Sequence, residues 1–483
     1  MTPLVRMLGV AGVGRLVRAC GWSALGLVMI TSRFLARQAT VWEWDDVVFG
    51  VSLHVFSPDA RVPHPPYYPL YVGLGRLVRL LVPDDTAALT LLAAAASGAA
   101  LAFVFLLVRE LLGDVRVAAT AAATFGFFPA VWLHAGVPLS DPAGLAAGLG
   151  AAWLALSARR RPGLLWLAAL AFGVTCGIRP QAALIGLGPL GLAAWRSPRR
   201  HVLVGLGAAV ASLAACLVAP VVLASHDLGV LWQGLRYQTR FVVGVDSLAA
   251  HSFDVATRLR RFGVDLWAYP ALAALGHALA LAGAVILWRD RRRRELAWLV
   301  AAFAPYTLAA LVMLDPATMG RYALPVLPAW AVLGAVALTR TERSVMPGRA
   351  PVMTGVLVAC LAVPVWPAIR LVHTRPSPPV VAARAIRATA GPAPFRVAYR
   401  SDLFVFAETL FADVPRVKVR TRSDLTALAA DPLPLWAYGF EGAAGTGGAA
   451  VWPELPVLRR VGRGRYLSVP YGRIAGPLAP PRD

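Results

Sequence analysis

The chain has 483 residues, of which 58% are hydrophobic and only 15% are charged. Soluble domains carry about 25% charged residues, so this composition excludes an ordinary soluble protein and predicts an integral membrane protein. The net charge is +22, from 47 Lys and Arg against 25 Asp and Glu. Because the basic residues lie in short runs between apolar segments, they are interpreted as topology signals, and no nucleic-acid partner is expected.

Apolar segments of about 20 residues, the length that crosses a bilayer, recur along the chain. We predict about eleven spans by that rule, with these cores: 17–36, 86–108, 117–135, 142–158, 164–178, 181–196, 202–224, 269–288, 296–314, 322–339 and 352–372. Pro180 separates the two shortest cores and predicts a broken or re-entrant element there. The first span is interpreted as an uncleaved helix from which Arg33 extends to the membrane interface.

The four cysteines, Cys20, Cys176, Cys216 and Cys360, lie in or beside these apolar runs and form no CxxC pair. This pattern predicts buried thiols, not a disulfide framework or a zinc site.

Arginine-rich connections alternate with connections that carry few basic residues. The rich set comprises the N-terminal arginines, RELLGDVR, ARRRP, WRSPRRH, WRDRRRRE and TRTERSVMPGR. The positive-inside rule places this set in the cytoplasm. The loops at 37–85 and 225–268, and everything after residue 373, are therefore predicted outside the cytoplasm.

The composition changes near residue 374, which predicts two domains: a transmembrane domain over 1–373 and a small extracytoplasmic α/β domain over 374–483. In the second domain FRVAYR, RVKVR and LWAYGF are predicted strands, and PVVAARAIRATA and SDLTALAAD are predicted helices. EGAAGTGGAA is predicted to be a flexible loop, because it lacks the Lys and the following helix of a phosphate-binding P-loop.

The first outer loop, residues 42–71, contains an acidic pair and then a His-Pro-Pro-x-Tyr turn. The flanking segments DDVVFGVSLHVF and PLYVGLGRLVRLLV have the spacing of helices that lie in the membrane surface. We therefore expect a packed loop.

Three further motifs lie in predicted outer loops: LSDPAG at 139–144, GIRPQ at 177–181 and GRYALPVLPAW at 320–330. Together with the first loop, they resemble the motifs of the GT-C glycosyltransferases. The likeness is greatest to the bacterial branch with protein O-mannosyltransferase-like and aminoarabinose-transferase-like members, and it covers roughly residues 15–340. It implies an α-helical polytopic membrane protein of the GT-C type, with about eleven transmembrane helices and a small C-terminal α/β extracytoplasmic domain.

The resemblance also implies an activity. The protein would transfer a sugar, with inversion, from a polyprenyl-phosphate-linked donor to a glycan, lipid or protein acceptor on the outer face of the cell membrane, in contact with membrane lipids. The second acidic position is often Glu in this branch and is Asp46 here. No Asp-x-Asp occurs outside the cytoplasm, so no motif supports a divalent metal cofactor.

The proposed chemistry needs one carboxylate to accept the acceptor's proton and cationic groups to stabilise the departing phosphate. Asp45 is the predicted base, and Asp46 is predicted to orient the acceptor or Asp45. The alternative is that the two residues form a solvated N-terminal cap of a helix.

The other predicted substrate-binding residues are His64, Tyr67, Tyr68, Asp141, Arg179, Arg321 and Tyr322. The arginines suit the lipid-linked phosphate because the guanidinium presents a fixed fork of donors. Each type of residue has a simpler role: a turn histidine, an interfacial tyrosine, a helix-capping aspartate or an arginine bound to lipid headgroups.

Two other functions remain open from the sequence. A transporter or lipid flippase would show paired halves with ionisable groups near the membrane midplane, whereas no internal repeat is evident and the acids cluster in outer loops. The other is a non-catalytic assembly or scaffold protein of the cell envelope.

Overall fold

The computed structural model describes residues 22–250, 255–314, 320–345, 349–421, 424–425, 428, 433–442, 446–453, 455–461 and 466–474. The helices of this part are α1 Trp22–Leu35, α2 Trp44–Ser52, α3 Pro69–Arg79, α4 Asp85–Leu112, α5 Val115–Phe127, α6 Pro129–His134, α7 Ser140–Ala158, α8 Leu165–Ile178, α9 Leu184–Trp195, α10 Arg199–Leu213, α11 Ala219–Ser225, α12 Leu228–Phe241, α13 Val255–Gly263, α14 Pro270–Arg289, α15 Arg293–Met313, α16 Leu327–Val345, α17 Ala350–Ala362, α18 Trp366–Thr374, α19 Pro378–Ala390, α20 Phe404–Leu410 and α21 Pro456–Arg460.

Short non-α segments join several of these helices. The 3₁₀ segments are Pro162–Leu164, Pro180–Ala183, Asp265–Trp267, Gly320–Val326 and Ser401–Leu403, and the π segments are Ala214–Val218 and Val242–Asp246.

Long apolar helices make this a multi-pass membrane protein. Within the described residues, five helices are long and apolar enough to cross a bilayer: Asp85–Leu112, Arg199–Ser225, Pro270–Arg289, Arg293–Met313 and Gly320–Ser344. One more span results if the helices on either side of a 57° bend after Ala362 are counted together. Every predicted span core after residue 85 coincides with helical structure, while residues 17–21 of the first core lie outside the described part. The total of eleven spans stays a prediction.

The break predicted at Pro180 is confirmed. Helix α8 ends at Ile178, Arg179 is extended with φ −160° and ψ 98°, and a 3₁₀ turn begins at Pro180. Proline disfavours helical geometry in the residue before it and cannot donate a backbone hydrogen bond. The chain therefore leaves the helix at Arg179.

Glycines allow the apolar helices to approach closely at two crossings. A Cβ added at Gly188 of α9 would lie 2.0 Å from the carbonyl oxygen of Ala301, and one at Gly283 of α14 would lie 1.9 Å from that of Leu333. Small residues at such crossings are typical of membrane helices, whose association depends on close packing.

Arg33 does not extend to the interface, and this expectation is wrong. Its side chain is fully buried and donates hydrogen bonds to the carbonyl oxygens of Met29, at 3.1 Å, and Gly126, at 2.7 Å. The last turn of α5 leaves carbonyl groups without helical partners, and Arg33 satisfies one of them. The guanidinium therefore ties α1 to the end of α5.

The C-terminal domain contains a mixed sheet whose five described strands lie in the order β2-β1-β3-β5-β4. The strands are β1 Arg396–Arg400, β2 Arg416–Val419, β3 Leu435–Tyr438, β4 Gly447–Val451 and β5 Ser468–Ile474. The three predicted strands and the helix predicted at 379–390 are confirmed. Residues 447–450, expected in a flexible loop, instead form β4, because they pair antiparallel with β5. Most of the helix predicted in SDLTALAAD, and residues 443–445, lie outside the described part.

The sheet domain packs directly on the first loop, residues 42–71. The rings of Trp42 and Trp452 meet edge to face at 4.6 Å, and the Trp452 indole donates to the carbonyl oxygen of Pro376 at 2.9 Å. Helix α20 lies against α2. The two loop segments predicted as helices are confirmed as α2 and α3, so the loop is packed between the apolar helices and the sheet domain.

Candidate active site

Helix α2 carries both acids of the first loop, and they have different surroundings. Asp46 is fully buried. Its Oδ2 accepts hydrogen bonds from Gln38 Nε2 at 2.7 Å and from the backbone N–H groups of Trp42 and Glu43, both at 3.0 Å. These two N–H groups lie at the start of α2, where helical partners are missing. The Asp46 side chain therefore caps the beginning of the helix, as in the alternative interpretation, but it is buried and not solvated as that interpretation expected.

Asp45 is directed instead to a second segment of the chain. Its Oδ2 pairs with Nη2 of Arg321, which lies in the 3₁₀ segment before α16. The Asp45 side chain is 13% exposed and that of Arg321 is 5% exposed. Burial alone would raise the pKa of Asp45, but the charge of Arg321, with a smaller contribution from His64, lowers that pKa to about 2. Asp45 is therefore ionised at neutral pH.

This low pKa also fixes the pH range in which Asp45 stabilises the fold. The value lies below the ordinary 3.8, so the stabilisation is fully present above the ordinary pKa. It is lost as the pH falls towards about 2.

A second ion pair lies beside the first. Arg179, at the break after α8, pairs with Oδ1 of Asp141 at 2.9 Å and donates to Oγ of Ser140 at 2.8 Å. Oδ2 of Asp141 lies 3.9 Å from Nη1 of Arg321. Four side chains thus form a continuous line of alternating charges, in the order Asp45–Arg321–Asp141–Arg179. We call this line the charge cluster.

Aromatic side chains surround the charge cluster. Nδ1 of His64 lies 3.8 Å from Oδ1 of Asp45, and the Tyr68 hydroxyl lies 3.4 Å from Nε2 of His64. The Arg179 guanidinium lies 6.0 Å from the ring of Tyr68 and 5.8 Å from that of Tyr322. Burial, the largest effect, lowers the pKa of His64 although Asp45 opposes the shift. His64 is therefore neutral at pH 7.

Tyr67 lies outside this arrangement. Its hydroxyl donates to the carbonyl oxygen of Val230 in α12 at 3.2 Å, and its ring packs with Val221 and Leu231. Tyr67 and Tyr68 adjoin in sequence, yet the structure brings only Tyr68 to the charge cluster.

Three further residues contact the site and were not predicted. Ser140 binds Arg179, the Tyr306 hydroxyl donates to the carbonyl oxygen of Tyr322 at 2.8 Å, and the ring of Trp44 lies 5.4 Å from that of His64. Ser140 and Trp44 flank predicted residues in sequence, so their position was a usable signal. Tyr306 lies within α15, where nothing in the sequence distinguishes it.

The charge cluster balances two cations against two anions in a site with little solvent. Buried ion pairs are weak contributors to stability, because desolvation offsets the attraction. Perturbed, buried titratable groups in one place are more typical of functional sites. Across the described residues, no group of three or more His, Cys, Asp and Glu is arranged to hold a metal ion.

The surroundings of Asp46 generate a stability prediction. Asp46→Ala removes the acceptor for three hydrogen bonds, and hydrogen bonds to charged groups contribute about 1.5–3 kcal/mol each. We expect a clear fall in the thermal unfolding midpoint of the detergent-purified protein, and a smaller fall for Asp46→Asn, which keeps one acceptor oxygen. Asp59→Ala, an exposed acid in the same loop, is the control. An equal midpoint for Asp46→Ala and Asp59→Ala would contradict this role.

Comparisons with known proteins agree with the motifs. Residues 56–159 match the family model of the protein O-mannosyl-transferase TMEM260 N-terminal domain. This segment contains His64, Tyr68 and Asp141 but not Asp45. No curated protein sequence matches the chain.

Solved membrane-protein structures share the fold at low sequence identity. ArnT from Cupriavidus metallidurans in the apo state is 14% identical with a TM-score of 0.58, over 96% of this chain and 100% of that one. The same protein bound to undecaprenyl phosphate gives 14% identity and a TM-score of 0.53, over 95% and 98%.

The Archaeoglobus fulgidus oligosaccharyltransferase in its apo form gives 14% identity and a TM-score of 0.51. The match covers 84% of this chain and 65% of the archaeal protein, so this chain spans less than two thirds of that relative. The chain therefore has the fold of the GT-C membrane glycosyltransferases, as its motifs predicted.

Proposed function

We propose that this protein is a membrane glycosyltransferase that moves a sugar from a polyprenyl-phosphate-linked donor to an acceptor outside the cytoplasm. The observation that carries this proposal is the charge cluster, in which the carboxylate of Asp45 on the first loop pairs with the buried Arg321 and a second buried arginine, Arg179, lies in the same line of charges. A carboxylate to accept a proton and cations to receive a phosphate are the two requirements of the reaction.

A lipid-linked donor is supported by a cavity beside the site. Its volume is about 820 Å³. It lies between α3 and the π-distorted span formed by α10 and α11, and its mostly apolar lining includes Val55, Phe56, Pro69, Val72, Leu223 and Ala224. The lining residue Pro69 directly follows Tyr68, one of the aromatic residues beside the charge cluster. ArnT, which shares the fold, was solved with undecaprenyl phosphate.

The Asp45–Arg321 ion pair links donor binding to base strength. A carboxylate with a pKa of about 2 is a weak proton acceptor, because the arginine stabilises its ionised form. A donor phosphate is a better bidentate partner for the guanidinium. When the phosphate takes Arg321, Asp45 loses its counter-ion, its pKa rises and it becomes a stronger base.

The transfer then proceeds by one displacement at the anomeric carbon. The acceptor oxygen attacks from the face opposite the phosphate, and its proton passes to Asp45. The bond from the anomeric carbon to the phosphate oxygen breaks, and its electron pair leaves with the phosphate. Arg321 and Arg179 stabilise that charge, so no general acid is needed. Attack opposite the leaving group inverts the anomeric configuration.

The base assignment predicts a large loss of turnover in Asp45→Asn. General-base catalysis contributes about 10²–10⁴-fold, and the amide keeps the size of the side chain but cannot accept the proton. Transfer from a polyprenyl-phosphate-linked sugar should fall by that order, while protein level and donor binding persist. Asp59→Asn is the matched control. Near-normal transfer by a folded Asp45→Asn protein would end the case for Asp45 as the base.

Phosphate recognition by Arg321 predicts that two substitutions at this position weaken donor use to different extents. Arg321→Ala should weaken donor use by about tenfold or more, since a charge-assisted hydrogen bond contributes about 1.5–3 kcal/mol. Arg321→Lys should lose less, because it keeps the charge without the fork. The double variant with Asp45→Asn shows whether an unpaired Asp45 charge damages the fold. Unchanged donor kinetics in the Ala variant would leave Arg321 without a role in donor binding.

The location of the site is tested by thiol labelling. In a protein without its four native cysteines, single cysteines at Asp59, Gln233 and Thr446 should react with a membrane-impermeant reagent in intact cells. Cysteines at Arg160 and Arg292 should not, because their arginine-rich loops are expected in the cytoplasm. The reverse labelling pattern would place the site on the cytoplasmic face and exclude an outer acceptor.

A further inference from the structure

A line of side chains leads from Asp45 to the exposed surface of the sheet domain. His64 contacts Asp45, and the Trp44 ring lies 5.4 Å from that of His64. The ring of Phe404, the first residue of α20, lies 6.2 Å from that of Trp44. Nζ of Lys418, on the edge strand β2, lies 5.6 Å from the centroid of the Phe404 ring.

We propose that Trp44, Phe404 and Lys418 form an acceptor subsite for an acidic carbohydrate. The proposal deepens the function proposed above and rests on it. The sheet domain would then supply part of the substrate site and not only cover the first loop.

The aromatic pair carries the carbohydrate part of the proposal. Phe404 is 38% exposed although it is a large apolar residue, and Trp44 is half-buried beside it. Aromatic faces bind the weakly polar C–H face of a sugar ring because they offer a flat, polarisable surface with negative charge density. The two rings are tilted by 48° and form a corner that opens next to the proposed base.

Lys418 carries the acidic part. The neighbouring cations are already engaged: Arg416 pairs with Glu408 and Arg400 pairs with Asp402, both at 2.6 Å. In the described part of the chain, no carboxylate lies within ion-pair distance of Lys418. Its exposed ammonium group is therefore available to a carboxylate or phosphate group on the acceptor.

Donor and acceptor would approach the charge cluster from different elements. The apolar cavity is lined by α3, the π segment Ala214–Val218, α11 and the loop before α3, whereas the aromatic corner joins α2 to the sheet domain. A donor lipid chain in the cavity leaves Trp44 and Phe404 uncovered. This separation is what a transfer between a lipid-linked sugar and a water-soluble acceptor requires.

The experiment uses the fact that Lys418 is the single lysine of the chain. The full-length protein, in nanodiscs of zwitterionic lipid, is acylated with an amine-reactive ester in the presence of tetragalacturonate or of neutral maltotetraose. Modification of Lys418 is measured by mass spectrometry, and binding of each sugar is measured by titration. We expect tetragalacturonate to protect Lys418 and maltotetraose to protect it much less.

Variants separate the two parts of the subsite. Phe404→Ala should weaken tetragalacturonate binding by about 2–10-fold, the value of an aromatic contact, and Phe404→Trp should restore it. Lys418→Gln should weaken it by up to about fivefold and remove the preference over maltotetraose. Val451→Ala, which truncates an exposed apolar residue on the opposite edge strand β4, should bind normally.

The proposal is overturned if tetragalacturonate does not protect Lys418 from acylation, or if Phe404→Ala and Val451→Ala weaken tetragalacturonate binding equally. It is also overturned if only anionic lipid vesicles protect Lys418, because this residue would then be a headgroup contact. A sugar-transfer assay on the wild-type protein separates failure of the subsite proposal from failure of the proposed function. Sugar transfer without tetragalacturonate binding would remove only the subsite, whereas tetragalacturonate binding without any transfer would leave a carbohydrate-binding site and remove both the enzymatic activity and the acceptor role.

Discussion

The ion pair between Asp45 and Arg321 is the interaction on which the rest of the site depends. It joins residues 276 positions apart, and so connects the first loop to the segment before α16. Asp46 holds the start of α2, the break at Pro180 places Arg179, and both arrangements bring charges to this pair. Without Arg321, Asp45 would be a buried carboxylate with a raised pKa. With Arg321, it stays ionised but is a weak base until another anion competes for the guanidinium.

The charge cluster behaves as one unit because Arg321 and Asp141, in the middle of the line, each lie beside two opposite charges. Removing one partner of a buried pair costs about 3–5 kcal/mol, since it leaves the other charge uncompensated. A donor phosphate adds negative charge to a cluster that is balanced without it. While Arg321 binds the phosphate, the ionised Asp45 has no counter-ion, so its pKa is raised and it more readily takes up the proton that the acceptor loses in the chemical step. Charge balance therefore couples phosphate binding to the chemical step and gives a reason why both arginines are buried.

The sequence predicted the helices well because apolar length and proline breaks are local signals. The alternation of arginine-rich loops put Asp45, Asp141, Arg179 and Arg321 on one side of the membrane, but it could not show which carboxylate meets which arginine. The different roles of the Asp45–Asp46 pair depend on backbone N–H groups at the start of α2, and the separation of Tyr67 from Tyr68 depends on the position of α12. Neither is local. Arg33 and β4 were misjudged for the same reason, since their partners, α5 and β5, are distant in sequence.

The sheet domain and the membrane helices meet at the first loop, so the most direct test must examine that junction with a donor analogue present. The decisive measurement is an experimental structure of the full chain bound to undecaprenyl phosphate. The account predicts that Arg321 has left Asp45 and binds the phosphate, with the lipid chain in the cavity beside α3 and Asp45 facing the Trp44–Phe404 corner. An unbroken Asp45–Arg321 pair, with the phosphate bound elsewhere, would contradict it.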